Sequence, residues 1–304
     1  MKVLVTGGAG FIGSNLVEEY LKQNHKVVVV DNLSTGKKKY LPDGITFYEA
    51  DIADAEFLRI VEEEKPDVIN HHAAQIDVQT SIKEPVFDAK INILGTINVL
   101  EACRQVPGVR LVYASSAAVY GTPEYLPVDE NHAVAPLSTY GISKHTPEHY
   151  IQSYSTLYGI PYTILRYANV YGKHQDPKGE GGVISILVDC AVSGRDFTIF
   201  GDGEQTRDFI HVEDLVTANV AATEKSYNEI VNISTNIELD LNKTVAIFQE
   251  VTGTELVVHY GEERKGDIKK SFLDNSKAKN LMGWEPKISL HEGLLKTYQF
   301  YKKM

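Results

Sequence analysis

Short apolar runs alternate with amphipathic stretches through the first half of the chain. KVLVTG, KVVVVD, TFYEAD, DVINHHAA, RLVYASS and YTILRYANV each read as a buried strand. They are continuously apolar rather than alternating, which predicts parallel strands covered on both faces. Between them, SNLVEEYLKQN and the long stretch from Val86 to Val106 read as amphipathic helices. Repeated strand–helix units of this kind predict an α/β fold on a doubly wound parallel sheet. After Gly172 the texture changes. KHQDPKGEGGV reads as a loop, while FTIFGDGEQTRDFIHVEDL and GTELVVHYGEERKGDIKKSFLD read as short strands and loops with local basic residues. The expected division is a main domain over 1–175, to which about 212–234 return, and a smaller α/β lobe formed mainly by 176–304.

Composition narrows the class. At 304 residues and 43% hydrophobic content the chain can bury a large core and a second lobe. A net charge of −11 disfavours a nucleic-acid partner, whose phosphates need basic surface. Two cysteines, Cys103 and Cys190, make neither a disulfide framework nor a cysteine metal site. No apolar run has the length of a membrane span, and Met1-Lys2 leads straight into a strand with no room for a signal peptide. A soluble, cytoplasmic globular protein is expected.

The turn TGGAGFIG places Gly7, Gly10 and Gly13 between the first strand and the first helix, with Phe11 and Ile12 among them. Such a turn lets the backbone approach a pyrophosphate, whose charge then sits at a helix N-terminus. Asp31, followed by Asn32, ends the second strand, where a carboxylate accepts hydrogen bonds from ribose hydroxyls. Its charge repels a 2′-phosphate, so NAD is favoured over NADP, although Lys37, Lys38 and Lys39 are near enough in sequence to rescue one. Asp51-Ile52 falls at a place suited to the adenine edge. His72, Ala73, Ala74 and Asn92 fall where they can line the cofactor. His71 and His72 do not suit one metal ion, because strand neighbours point to opposite faces.

YGISK puts Tyr140 and Lys144 four apart, on one face of a helix. A neighbouring ammonium and a positive nicotinamide would draw the tyrosine pKa down toward the working range of a base. Ser116, at the end of a parallel strand in YASSAAVYG, is placed to share a hydrogen bond with a substrate hydroxyl. The small residues after it, Ala117 and Ala118, carry no acid.

TGGAGFIG, Asp31, YASSAAVYG, YGISK, LRYANVYG and RDFIHVEDL occur in the order of the extended short-chain dehydrogenase/reductase family, and the chain most closely resembles the UDP-glucose (UDP-galactose) 4-epimerases. The resemblance implies a Rossmann domain and a UDP-sugar-binding lobe, with catalytic Ser116, Tyr140 and Lys144, the last also holding the nicotinamide ribose. Related 4,6-dehydratases carry an Asp-Glu pair at the positions of Ala117 and Ala118, and UDP-glucuronate decarboxylases a Glu at the second. Their absence favours epimerisation over elimination. Asn169, Val183 in the loop after Gly182, Arg207, Arg264 and Asp267 are implied contacts to the UDP-sugar, with Lys265 standing where the family often has proline. Ser271 occupies a position where a small residue leaves room for an N-acetyl group. A homodimer joined through the 86–106 helix and the helix starting near Tyr140 is also implied. Epimerases of UDP-N-acetylglucosamine or UDP-glucuronate, a sugar-nucleotide reductase and a non-catalytic dinucleotide sensor stay open.

Two local features remain. HTPEH at 145–149 matches a zinc-peptidase spacing, but Pro147 inside it would distort the turn that presents two ligands. Pro147 also predicts a local kink or a 3₁₀ turn.

Overall fold

The computed structural model describes residues 1–178, 182–225, 227–263 and 268–303. The apolar runs form β1 (Lys2–Thr6), β2 (Lys26–Asp31), β3 (Thr46–Glu49), β4 (Val68–His71), β5 (Arg110–Ser116) and β6 (Tyr162–Tyr167). Further strands are β7 (Asn169–Tyr171), β8 (Phe197–Phe200), β9 (Thr206–Arg207), β10 (Phe209–His211), β11 (Glu229–Ile233), β12 (Leu239–Asp240) and β13 (Val258–Gly261). The helices are α1 (Phe11–Lys22), α2 (Ala55–Glu64), α3 (Val78–Lys83), α4 (Pro85–Ala89), α5 (Gly95–Gln105), α6 (Thr139–Tyr158), α7 (Val183–Ser193), α8 (Val212–Glu224), α9 (Leu241–Thr252) and α10 (Leu290–Lys302).

Among the described residues, seven parallel strands form one sheet in the order β11-β6-β5-β4-β1-β2-β3. The chain winds outward from β1 to β3, then returns to β4 on the other side of β1. The crevice between the ends of β1 and β4, where Thr6 pairs with His71, is therefore the topological switch point at which such sheets bind ligands. Both sheet faces are covered, as the continuous apolar runs require. Leu4, Ile69 and Leu111 pack with Phe57 of α2 and Val99 and Leu100 of α5. On the other face Val3, Val5 and Val29 pack with Leu16 and Tyr20 of α1 and Val216 of α8. Each such fully buried side chain contributes roughly 1.5–3 kcal/mol.

YTILRYANV divides at Ala168: β6 stays in the large sheet, while β7 leaves it to pair with β10. The 86–106 stretch is a helical rod whose middle, Lys90–Leu94, winds as a π turn between α4 and α5. The 3₁₀ turn expected at Pro147 is absent, because α6 runs as an α-helix from Thr139 to Tyr158. It packs along this length on β5, β6, α5 and the π turn, and that packing holds the backbone while only the Ser143 carbonyl loses its helical donor.

The second half builds a core of Ile184, Leu187, Phe197, Phe248, Leu294 and Tyr298 between α7, α9 and α10 and the short pairs β8–β13 and β9–β12. From within this half, α8 returns to pack on α1, and β11 adds the edge strand beside β6. No described helix is long and apolar enough to cross a membrane.

Candidate active site

The glycine turn is shaped by contacts that no side chain tolerates. Gly7 has φ of +67°, and a Cβ there would lie 2.7 Å from the Ala73 nitrogen. At Gly13 a Cβ would meet the Gly7 carbonyl oxygen at 2.1 Å. Helix α1 starts at Gly10 with no side-chain cap, so its first amides, from Phe11 and Ile12 onward, are left for a ligand. An anionic diphosphate fits this cradle.

Asp31, buried at the end of β2, accepts hydrogen bonds from Ala9 N at 2.9 Å and Leu33 N at 2.8 Å. Burial raises its pKa from the ordinary aspartate value, against these two donors. A Cβ at Gly36 would come within 2.8 Å of the carboxylate, so the following loop encloses it. The lysines of that loop are engaged elsewhere: Lys37 pairs with Asp176 at 3.0 Å, Lys38 lies over Phe47 and Lys39 over Tyr40. Asn32 Nδ2 donates to Asp51 at 2.9 Å, joining the ends of β2 and β3, and Ile52 beside it is buried against Gly95. The arrangement suits an adenosine with free ribose hydroxyls.

His71 is held between Thr6 and Thr96, at 2.7 and 2.9 Å, whereas His72 meets Tyr167 at 3.0 Å. The two rings serve different faces, and no group of three metal-ligating side chains occurs among the described residues. Desolvation and the neighbouring Lys144 push His72 down to about 3, so it is neutral at physiological pH. Ala73 N donates to Thr6 Oγ1 at 3.1 Å, and Ala74 follows, half-buried.

Ser116 ends β5 and caps the turn Ala117–Val119 by accepting from Ala118 N at 3.2 Å. Helix α6 approaches the same turn: a Cβ on Gly141 would sit 2.6 Å from the Ala118 carbonyl oxygen. Ser138 caps the helix, and Tyr140 N donates to Ser81 Oγ at 3.0 Å, fixing the first turn from both sides. One turn on, Lys144 is buried with its Nζ donating to the Ala114 carbonyl at 2.6 Å, over the Tyr113 ring. Strand end and helix start thus bring Ser116, Tyr140 and Lys144 together. Desolvation pushes the Tyr140 phenol up to about 12, which its hydrogen bond with Ser116 only partly offsets. Lys144 is pulled down to about 8 by burial.

Within HTPEH, Glu148 is buried and forked to Arg166 at 2.5 and 3.0 Å, and also accepts from Ser115 at 2.6 Å, so its carboxylate is committed to these partners.

Asn169, at the start of β7, is exposed and bonded to the Asp208 carbonyl through N at 2.9 Å and Nδ2 at 3.2 Å. Val183 opens α7 behind Gly182, another start without a side-chain cap. Arg207 Nη1 donates to the Thr206 and Ile268 carbonyls, each at 2.7 Å, which fixes the guanidinium to the backbone. Ser271 is half-buried with its N 3.3 Å from Thr206 Oγ1. Arg264 and Asp267 lie outside the described residues.

Motif spacing found Asn92 but missed Asp88 and Gln75, which close around it. Asn92, in the π turn, accepts from Gln75 N at 2.8 Å, and its Nδ2 reaches Ser143 Oγ at 2.9 Å and Asp88 at 3.1 Å. Asp88 also accepts from Gln75 Nε2 at 2.8 Å. A buried acid inside an apolar rod was the available signal.

The fold and crevice define a Rossmann-type enzyme with a serine, tyrosine and lysine beside its dinucleotide cradle. Residues 3–234 match the NAD dependent epimerase/dehydratase family, and the chain belongs to it. It is similar to the UDP-glucose 4-epimerase of Thermotoga maritima solved with UDP-glucose, at 43% identity and TM-score 0.97, over 100% of this chain and 99% of that one. It is also similar to the Thermus thermophilus UDP-glucose 4-epimerase complexed with NAD, at 38% identity and TM-score 0.94, over 99% of each. A third solved relative is the UDP-N-acetylglucosamine 4-epimerase of Methanobrevibacter ruminantium, in complex with UDP-N-acetylmuramic acid. It is 33% identical with TM-score 0.95, over 99% of this chain and 98% of that one.

Proposed function

We propose that the chain interconverts UDP-glucose and UDP-galactose by oxidising and re-reducing sugar carbon 4. The observation that carries this reading is the pairing of Tyr140 and Ser116 over a turn whose next two side chains are methyl groups. NAD bound in the cradle supplies a reversible hydride acceptor. Tyr140 takes the proton from the carbon-4 hydroxyl, and Ser116 steadies that oxygen. Lys144, fixed by the Ala114 carbonyl, holds positive charge beside the phenol and favours its anion. Neither Ala117 nor Ala118 can move a proton, so the 4-keto sugar has no acid or base there to drive elimination. Rotation of the sugar about its diphosphate link presents the other face, and Tyr140 returns the proton to the carbon-4 oxygen as hydride returns to carbon 4 with its configuration inverted.

The smaller lobe supplies the nucleotide end in this reading. Arg207, Arg264 and Asp267 hold the diphosphate and uridine ribose, with Asn169, Val183 and Ser271 along the sugar path. Ser271 is small, which favours a second reading in which UDP-N-acetylhexosamines are also accepted. Comparing turnover of UDP-galactose, UDP-N-acetylglucosamine and UDP-glucuronate tests both: no turnover of the first overturns the main reading, and no turnover of the second overturns the extension.

A homodimer belongs to the same proposal. Val86, Phe87 and Leu94 on the helical rod and Ile142, Tyr150 and Leu157 on α6 are exposed large apolar side chains on two adjacent helices. Ile142, Tyr150 and Leu157 recur at helical spacing on one stripe, as an interhelical seam requires. A monomer in sedimentation equilibrium would overturn it. The cytoplasm is the compartment in which this activity is proposed.

A further inference from the structure

Two segments far apart in sequence are fastened to each other beside the dinucleotide cradle. The first is the loop after β2. Its start is pinned by Asp31, which accepts from Leu33 N at 2.8 Å. Its end is pinned by Lys37 N, which donates to the Ala9 carbonyl of the glycine turn at 2.9 Å. Between them Gly36 lies so close to Asp31 that a Cβ there would come within 2.8 Å of the carboxylate. A ribose bonded to that carboxylate lies against this loop, so a loop held in place hinders its departure.

The loop continues into a 3₁₀ turn, Lys38–Tyr40. There the Tyr40 ring stacks on His174, with centroids 4.0 Å apart and planes 5° from parallel. Lys37 and Asp176 pair at 3.0 Å across the same two segments, but both are well exposed and the pair contributes little. The ring stack is the stronger fastening.

The second segment, which follows β7, is braced to receive that ring. His174 has φ of +72°, a left-handed backbone that a residue other than glycine keeps only where its surroundings hold it. Two helices do so. From α1, Ser14 Oγ meets His174 Nδ1 at 2.9 Å, Asn15 Nδ2 reaches the Lys173 carbonyl at 3.3 Å, and Glu18 pairs with Lys173 at 2.5 Å. From α10, the Tyr301 hydroxyl donates to the Gln175 carbonyl at 2.6 Å, and Phe300 meets the His174 ring edge to face. Burial lowers the His174 pKa to about 4, so at physiological pH an uncharged ring faces Tyr40.

We infer that Tyr40 and His174 form a clasp that holds the Asp31 loop against bound NAD, which makes both of them positioning residues for retention of the cofactor. The inference rests on the NAD of the proposed reaction and not on the identity of the sugar. An enzyme that returns its hydride within each turnover has no need to release the dinucleotide, and the clasp is a barrier to release.

The test reads release directly. Wild type and variants are loaded with NAD⁺ carrying ¹⁴C in its adenine, freed of unbound label by gel filtration, and chased with excess unlabelled NAD⁺. Tyr40→Ala and His174→Ala should each release label on the order of 10-fold faster, the scale of one lost aromatic pair. Tyr40→Phe, which keeps the ring, should release it at the wild-type rate. The double variant Tyr40→Ala/His174→Ala should be no faster than the faster single one, because both changes remove the same contact. Should His174→Ala fail to fold, Tyr40→Ala against Tyr40→Phe decides the matter. Wild-type release from the alanine variants, or effects that multiply in the double variant, would overturn the clasp, since independent structural damage multiplies and a shared contact does not. Label lost from the wild type during gel filtration would overturn it as well. Retained label with no epimerisation would remove the proposed reaction and leave the clasp standing.

Discussion

A Cβ added to Gly141 would lie 2.6 Å from the carbonyl oxygen of Ala118, so the first turn of α6 rests directly on the turn that follows β5. This contact sets the spacing between the helix that carries Tyr140 and the strand end that carries Ser116. A side chain at 141 must push them apart. Gly141→Val is therefore expected to keep the cofactor and the fold but to lower kcat on the order of 100-fold, because displacements near 1 Å suffice for that. Turnover measured beside far-UV circular dichroism and NAD content checks it; wild-type kcat in a folded variant would show that the contact does not govern the site.

Ser116 caps the turn at Ala118, and in the proposed reaction it also steadies the substrate oxygen. Ser116→Ala should lower kcat by roughly 100-fold or more, in the range of a lost proton-transfer or oxyanion partner. The lost cap should cost about 1 kcal/mol of stability. Steady-state kinetics and urea unfolding of the same preparation separate the two.

Behind the site, Glu148 and Arg166 form a buried pair whose side chains are 1% and 3% exposed. Glu148→Gln leaves the guanidinium buried without an anion, which should cost about 3 kcal/mol or more. A urea midpoint equal to the wild-type value would mean that water or another acid reaches Arg166.

Asp208 gives a pH dependence with a definite sign. Its carboxylate accepts from Thr235 N, Thr235 Oγ1 and Asn236 N, yet burial raises its pKa from 3.8 to about 6. A folded-state pKa raised above the unfolded value means that the folded state holds the proton more tightly. The stability this contributes is complete below about pH 4 and is lost as pH rises through about 6, on the order of 3 kcal/mol in all. Unfolding in urea across this window should show the loss in the wild type and not in Asp208→Asn. Parallel profiles for the two proteins would remove Asp208 as the cause.

What could be read from the sequence was what short spacing encodes. Gly7, Gly10 and Gly13 announce a turn that must lie against backbone, and the continuous valines of β1 and β2 announce strands covered on both faces. Tyr140 and Lys144 share a helix face, so their pairing needed no tertiary knowledge. Contacts between distant segments were hidden. Asp88 gains meaning only when Gln75, Asn92 and Ser143 close around it, and the engagement of Lys37 depends on Asp176 far along the chain. At Pro147 local chemistry predicted a kink or a 3₁₀ turn, and packing along α6 kept the turn α-helical, so the 3₁₀ alternative does not form.

The central claim is that Tyr140 and Ser116 act on sugar carbon 4 with resident NAD, without net redox change. Purified protein should be incubated with UDP-galactose and no added nicotinamide, and the nucleotide sugars resolved over time beside a Tyr140→Phe control. The account predicts approach to a UDP-glucose/UDP-galactose mixture, slowed by roughly 100- to 10,000-fold in the control. UDP-galactose that stays unconverted even after NAD⁺ is supplied, or equal conversion by Tyr140→Phe, would contradict it.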